Sequence, residues 1–304
     1  MTELVKGILG GGWSLVAGWL LPTAVNGFIL VFLVLPWLHG LPELEQLAHT
    51  GAVENSIAFV LAVAAIGLAL SAVQIPLYRV LEGYLGWPEW LFRRSRDRQL
   101  RRRQSLEGRS DMDDQRTSTQ RALLSEQLSR YPDEEQVVAT RLGNAIRRFE
   151  VFGFDRYQLD SQTLWYELNA VVNDTVRRNV DTARTGVDFF VALLWGHLVV
   201  CALVVGLVSA HAMAAWPGLA LVVGLLALTR LWYRMAVVST DEWAAAVQAL
   251  VNVGRKPLAE SLGYRLPDTL AEERRMWRMV VRLSRRPYHE RAAALDEFRD
   301  HQDG

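Results

Sequence analysis

The chain has 304 residues, 51% of them hydrophobic, with 33 basic residues against 33 acidic ones and a single cysteine. A mean hydropathy of +0.09 averages long apolar runs with very polar ones, which excludes a uniformly soluble chain, a disulfide framework and a thiol-rich metal site. The formal net charge is zero, so the information lies in how the charge is segregated along the chain.

Residues 1–12 form a short head carrying Lys6 and a glycine run. The first expected span, residues 13–37, is long enough to cross a bilayer. It holds Pro22 and Asn26 in its middle, and Trp13 and Trp37 stand where an interfacial aromatic belt lies. Its length and the lack of a small-x-small cleavage pattern argue against a removable signal peptide. Residues 38–56 read as an outer loop with Glu43, Glu45 and Glu54 and no Lys or Arg. A second span over 57–79 is followed by the densest basic cluster of the chain: Arg93, Arg94, Arg96, Arg98, Arg101, Arg102 and Arg103. Positive residues mark the cytoplasmic face.

Residues 80–186 read as a cytoplasmic helical region. It opens with an aromatic juxtamembrane piece, Tyr84 to Phe92, and the basic segment, then a polar linker from Glu107 to Thr119. A short helix is expected over Arg121 to Arg130. A longer one is expected over Asp133 to Phe152, closed by Gly153 in the left-handed C′ position. A stalk helix over 163–186, capped by Asp160 or Ser161, is expected to run unbroken into a third span at 187–210. A short outer loop at 211–214 leads to a fourth span at 215–237. Arg177, Arg178 and Arg184 precede the third span and Arg230 and Arg234 end the fourth, so both hairpins place the same side in the cytoplasm.

The tail, residues 238–304, is expected to be helical. Ser239 with Glu242 reads as a capping box for a helix from Glu242 to Val253 that ends at Gly254. A short turn follows Lys256 and Pro257 and closes at Gly263. Thr269 with Glu272 opens a last helix through Met276, Val280 and Leu283, which stops before Pro287. The fold class is therefore all-α: an integral plasma-membrane protein with four transmembrane helices as two hairpins, a helical cytoplasmic module, and both termini cytoplasmic. The module's apolar faces are too few for a large core of their own. It is expected to pack on the C-terminal segment, on the stalk or on another subunit.

Two strings of the module, Thr140-Arg141-Leu142-Gly143-Asn144-Ala145-Ile146-Arg147 and Arg156-Tyr157-Gln158-Leu159-Asp160 followed by Leu164-Trp165, carry a resemblance. They look like the T-x-L-G-N-x-L-R … R-Y-G-L-D … W pattern of a group of uncharacterised actinobacterial multi-pass membrane proteins. Leu262-Gly263-Tyr264-Arg265-Leu266-Pro267, then Glu272-Glu273-Arg274 and Trp277, resembles the ending of the same group. Where that pattern has Gly after Tyr, this chain has Gln158. The resemblance implies a shared cytoplasmic helical module and no particular activity.

Several residues invite a functional role. The arginines from Arg93 to Arg103 fix topology and can meet anionic lipid headgroups; without an aromatic stacking platform or fold motif, nucleic acid is not expected. Within the spans Asn26, Gln74 and His197 are candidates for intramembrane polar contacts, and an ionisable group there is a functional candidate by default. With no acid at mid-depth, His197 is expected to make an interhelical hydrogen bond rather than relay protons. Asp188, at the cytoplasmic boundary, is expected to pair with Arg184 without burial. The small-residue ridges Ala58, Ala62, Ala65 and Ala69, and Ala202 with Gly206, are expected to pack helices closely within one protomer. No metalloprotease helix, nucleophile elbow, phosphate loop or ligand-spaced His and carboxylate pair occurs. No catalytic residue, cofactor or metal is therefore expected. The expected partners are membrane lipids and a protein, or a second copy of the chain, held through the cytoplasmic helices. An oligomeric channel or membrane-permeabilising effector is the alternative reading, with His197, Gln74 and Asn26 lining or gating the path.

Overall fold

The computed structural model describes residues 12–37, 52–111, 117–287 and 289–299. Most of the glycine head and of the first outer loop, and Asp113 and Asp114 of the expected linker, lie outside them. The described residues are helical throughout, apart from connections and a single bridge between Tyr264 and Arg299. The helices are α1 (Trp13–Trp37), α2 (Ala52–Ala72), α3 (Gln74–Glu82), α4 (Glu89–Asp111), α5 (Ser118–Ser129) and α6 (Arg141–Glu150). They continue as α7 (Phe152–Tyr157), α8 (Trp165–Val171), α9 (Asp174–Ser209), α10 (Ala215–Ser261) and α11 (Leu270–Arg285). Two compact units emerge, one of Met1–Val80 and Thr182–Ser239, the other of Leu81–Asp181 and Thr240–Gly304.

In the first unit α1, α9 and α10 are each long and apolar enough to cross a membrane. The second expected span is broken. α2 begins at Ala52, five residues before the expected Ile57, and α2 and α3 meet at a 59° bend, so that the two together could form one broken span. Pro76 supplies the reason, because it has no N–H to return to the carbonyl one turn earlier. α1 absorbs Pro22 differently: residues Val16–Leu20 and Leu30–Val34 widen into π-helical turns. The Thr23 hydroxyl donates to the carbonyl of Trp19 at 2.7 Å.

The surface of this unit is apolar: Phe32, Leu61, Ile75, Val199 and Val223 are all at least 60% exposed, as suits a lipid solvent rather than water. Inside, Val34 of α1, Val200, Cys201 and Val204 of α9, and Leu225 of α10 form one buried cluster. α2 meets α1 through Phe59, Val63 and Gly67. A methyl at Gly27 would lie 2.9 Å from Phe59, and one at Gly67 would lie 2.5 Å from Leu20. The expected alanine ridge is thus not the packing face, since Ala58, Ala62, Ala65 and Ala69 are exposed. They stand one residue, about 100° of helix, from the stripe that is buried. Ala202 and Gly206 are likewise exposed beside the buried Cys201 and Val204.

The second unit has a closed apolar core of its own. Leu142, Leu159, Leu164, Leu168, Leu250, Leu258, Met276 and Trp277 are all fully buried, each contributing on the order of 2 kcal/mol. These residues come from both sequence segments, so the central module does pack on the C-terminal segment. Phe149 meets Trp243 with ring centroids 4.8 Å apart, and a methyl at Gly254 would meet Val172 at 2.9 Å.

Several helix boundaries differ from expectation. The stalk is not continuous from residue 163, because α8 ends at Val171 and Val172 is extended. Asn173 restarts the helix by accepting from the Val176 N–H at 2.9 Å, the N-cap chemistry of a short polar side chain. Asp160 caps only the turn before α8, accepting from Gln162 and Thr163 at 3.0 Å. Conversely, the break expected at Ser239 is absent. α10 runs on through Gly254 and carries Pro257 inside it, ending at Ser261, where Gly263 takes the left-handed position at φ 76°. Gly254 is kept in the helix because a side chain there would strike Val172 and Leu168.

The helix expected over Asp133 to Phe152 is split. A 3-10 turn, Glu134–Gln136, and an extended stretch precede α6, and Gly153 lies inside α7. The left-handed position falls at Gln158, φ 60°, where its side chain donates to the Phe154 carbonyl at 3.1 Å. Glycine would hold that conformation without the strain of a Cβ. The expected linker is helical as far as Asp111, and α5 opens on a capping box of Thr117 and Gln120.

Candidate functional site

Two polar clusters lie inside the first unit. At the first, His197 of α9 is 1% exposed and Asn26 of α1 is 6% exposed. The His197 Nδ1 and the Asn26 Oδ1 are 2.8 Å apart, and the indole N–H of Trp232, on α10, donates to His197 Nε2 at 3.2 Å. An indole N–H can only donate, so Nε2 accepts and the proton of a neutral imidazole sits on Nδ1, facing Asn26. The Asn26 amide N–H₂ donates in turn to the Pro22 carbonyl at 2.8 Å. The chain of bonds is complete with uncharged groups and joins three helices. Gly196 makes room for it, since a methyl there would overlap the Asn26 amide.

The second cluster corrects the reading of Asp188, whose side chain is 8% exposed. The Tyr78 hydroxyl donates to Asp188 Oδ1 at 2.7 Å, and Arg184 Nε stands 3.8 Å from Oδ2. Burial follows from Gly18, over which the Asp188 Cβ sits. Gln74 belongs here and not with Asn26 and His197: its Oε1 accepts from Arg184 at 3.5 Å.

In the second unit the strings singled out in the sequence hold the fold together. Thr140 caps α6 by accepting from the Gly143 N–H at 2.9 Å. The buried Asn144 accepts from Val138 N–H and donates to the Val138 and Thr140 carbonyls. A side chain at Gly143 would strike the backbone of Glu82. Arg274 of α11 donates to the carbonyls of Asp155 and Arg156 at 2.6 Å. Glu273 is 4% exposed, pairs with Arg255, and accepts from the Trp277 indole at 3.2 Å.

The Arg93 to Arg103 cluster divides in two along α4. Arg96 Nε donates to the Val137 carbonyl at 2.9 Å, and Arg103 Nε donates to that of Pro132 at 3.1 Å. Arg93 pairs with Glu89. Arg94, Arg98 and Arg101 are exposed, and Arg102 is half-buried.

A cleft of about 490 Å³ opens among α4 to α7, lined by Arg103, Glu107, Asp133, Arg148, Asp155 and Arg156 among others. Burial raises the Asp155 carboxyl above its ordinary value; Asp133 adds to the shift, while Arg148, Arg147 and Arg274 oppose it. Its lining has two serines, Ser125 and Ser129, three carboxylates, Glu107, Asp133 and Asp155, and no histidine or cysteine. Among the described residues no three acidic, histidine or cysteine side chains converge as metal ligands.

The comparisons with known proteins leave the geometry to speak alone. No protein-family model, curated protein or solved structure matches the chain.

Sequence reasoning found His197 and Asn26 separately but not Trp232, whose indole joins them. It also missed Tyr78 as the partner of Asp188. The spacing of a hydroxyl before Arg79 at a span's end was the only signal available.

Proposed function

We propose that the chain is a non-enzymatic, multi-pass membrane protein of the plasma membrane that presents a helical cytoplasmic module to a partner. In this reading the bent pair of α2 and α3 makes one span, so four spans form two hairpins with both termini cytoplasmic. The absence of Lys and Arg from residues 38–56 and 211–214, against the arginines flanking the other span ends, supports that orientation. The observation that carries the reading is helix continuity. α9 passes from Asp174 to Ser209 and α10 from Ala215 to Ser261 without a break, and the division between the units falls inside both helices. At 1.5 Å per residue α10 is about 70 Å long. Two such rods transmit a displacement from membrane to module.

The test breaks both rods. Thr182→Pro with Ser239→Pro removes a backbone hydrogen bond from each helix, at roughly 3 kcal/mol apiece. The intact chain in nanodiscs is expected to unfold in one cooperative transition and the double variant in two. Two transitions in the intact chain, or one in the variant, would sink the coupling.

One observation favours a second reading, self-association into a channel or a membrane-permeabilising assembly. The ridges of Ala58, Ala62, Ala65 and Ala69, and of Ala202 and Gly206, stand exposed among the described residues, and such faces bring helices of separate chains together. Asn26 and His197 satisfy each other inside the protomer, so the path in that assembly would be lined by other side chains.

A further inference from the structure

The helix α4 sorts its arginines by face. Arg96 and Arg103 point into the module and bind backbone carbonyls, and Leu106 is buried among Leu124 and Tyr131. The opposite face, Trp90, Arg94, Arg98 and Arg101, follows the three-and-four spacing of one helical stripe and is exposed along its whole length. Trp90 is 68% exposed, and the loop just before it adds Leu85 at 49% and Tyr84 at 44%. Arg94, Arg98 and Arg101 make no ion pair or hydrogen bond among the described residues, and the acid on that stretch is Asp97.

A water-facing helix gains nothing from such an arrangement. An exposed Trp costs hydration, and three unpaired guanidiniums within about 10 Å of helix repel one another. An anionic interface reverses both costs, because indole and phenol rings settle at headgroup depth and guanidiniums pair with phosphate. The chain cannot carry this face far from the bilayer. Tyr78, hydrogen-bonded within the membrane unit, precedes Trp90 by twelve residues, a reach of at most about 40 Å.

We infer that the face of Tyr84, Leu85, Trp90, Arg94, Arg98 and Arg101 lies on the anionic phospholipid headgroups of the bilayer that the chain spans. The inference rests on the membrane reading above and adds to it a lipid-sensing surface that the module carries outside the spans. Docked on anionic lipid, α4 holds the module to the membrane surface; over neutral lipid, or at high salt, it lets go.

The experiment uses the full chain with Cys201→Ser and Asp97→Cys, spin-labelled at residue 97, in nanodiscs of phosphatidylcholine alone or mixed with phosphatidylglycerol. The label's accessibility to a water-soluble nickel chelate is expected to fall several-fold in the anionic discs. It should recover as salt shortens the screening length from about 10 Å to about 3 Å. Changing Arg94, Arg98 and Arg101 to Gln weakens the association roughly a hundredfold and removes the composition dependence. Equal accessibility in both discs, with the chain still embedded, overturns the lipid contact alone. A chain that does not embed overturns the membrane reading with it. Protection by an added RNA duplex but not by phosphatidylglycerol assigns the face to nucleic acid and also overturns the inference.

Discussion

Trp277→Ala is expected to destabilise the second unit by about 3–5 kcal/mol, as large aromatic truncations in a closed core do. Trp277 is fully buried, and it also occupies one oxygen of the buried Glu273 carboxylate. Truncation therefore opens a cavity and strips an acceptor of its donor in one step. Glu273→Gln makes the informative contrast. Its partner Arg255 keeps 29% side-chain exposure and lies over the Tyr157 ring at 4.7 Å, so it can turn to water. The expected loss is about 1 kcal/mol. Packing, rather than the ion pair, decides the stability of this unit, whose total is on the order of 5–15 kcal/mol. Denaturant titration read by amide exchange over residues 141–171 and 270–285 separates the two variants. Losses in the reverse order would mean that the charge pair, not the indole, anchors α11.

Gly196→Ala is expected to have the largest effect in the membrane unit, although it adds a single methyl. That methyl would overlap the Asn26 amide, so the amide must leave the position in which it meets both His197 and the Pro22 carbonyl. Overpacking of this kind costs about 1–3 kcal/mol, and the lost hydrogen bonds add to it. His197→Phe keeps a flat aromatic ring, somewhat larger than the imidazole, and removes the polar links to Asn26 and Trp232. Interhelical hydrogen bonds in a membrane average about 0.6 kcal/mol, so the expected cost is near 1 kcal/mol. Asn26→Leu combined with His197→Phe should cost less than the sum of the two single changes, because each leaves the other's partner unpaired. Thermal unfolding in nanodiscs gives all four values. Additive single and double changes would mean that the bond between Asn26 and His197 carries no weight.

Apolar run length sufficed for locating the helices that could cross a membrane, since α1, α9 and α10 each contain one long run with almost no charge. What it could not locate were breaks decided by tertiary contact. Asn173 stops one helix and starts another with nothing more than a side-chain oxygen. Ser239, with an apparent capping box, stops nothing, because α10 continues into the core formed by Leu250 and Leu258. Local capping signals yield to burial whenever the helix beyond them has an apolar face to bury. The small-residue ridges failed for a related reason. Alanine spacing marks where helices could approach, while Phe59, Val63 and Gly67 mark where they do. The polar network was half legible, since a buried His and a buried Asn announce themselves by their cost, but which helices bring them together is a property of the fold.

The measurement that tests the account most directly is the sidedness of single cysteines in intact cells. With Cys201→Ser as background, Glu45→Cys and Ala212→Cys are placed in the two short outer loops, and Gln158→Cys and Gln302→Cys in the module and tail. An impermeant maleimide should label the first pair from outside and the second pair only after the membrane is opened. Labelling of residue 158 or 302 from outside, or residues 45 and 212 on opposite faces, would contradict the four-span arrangement and the cytoplasmic module built on it.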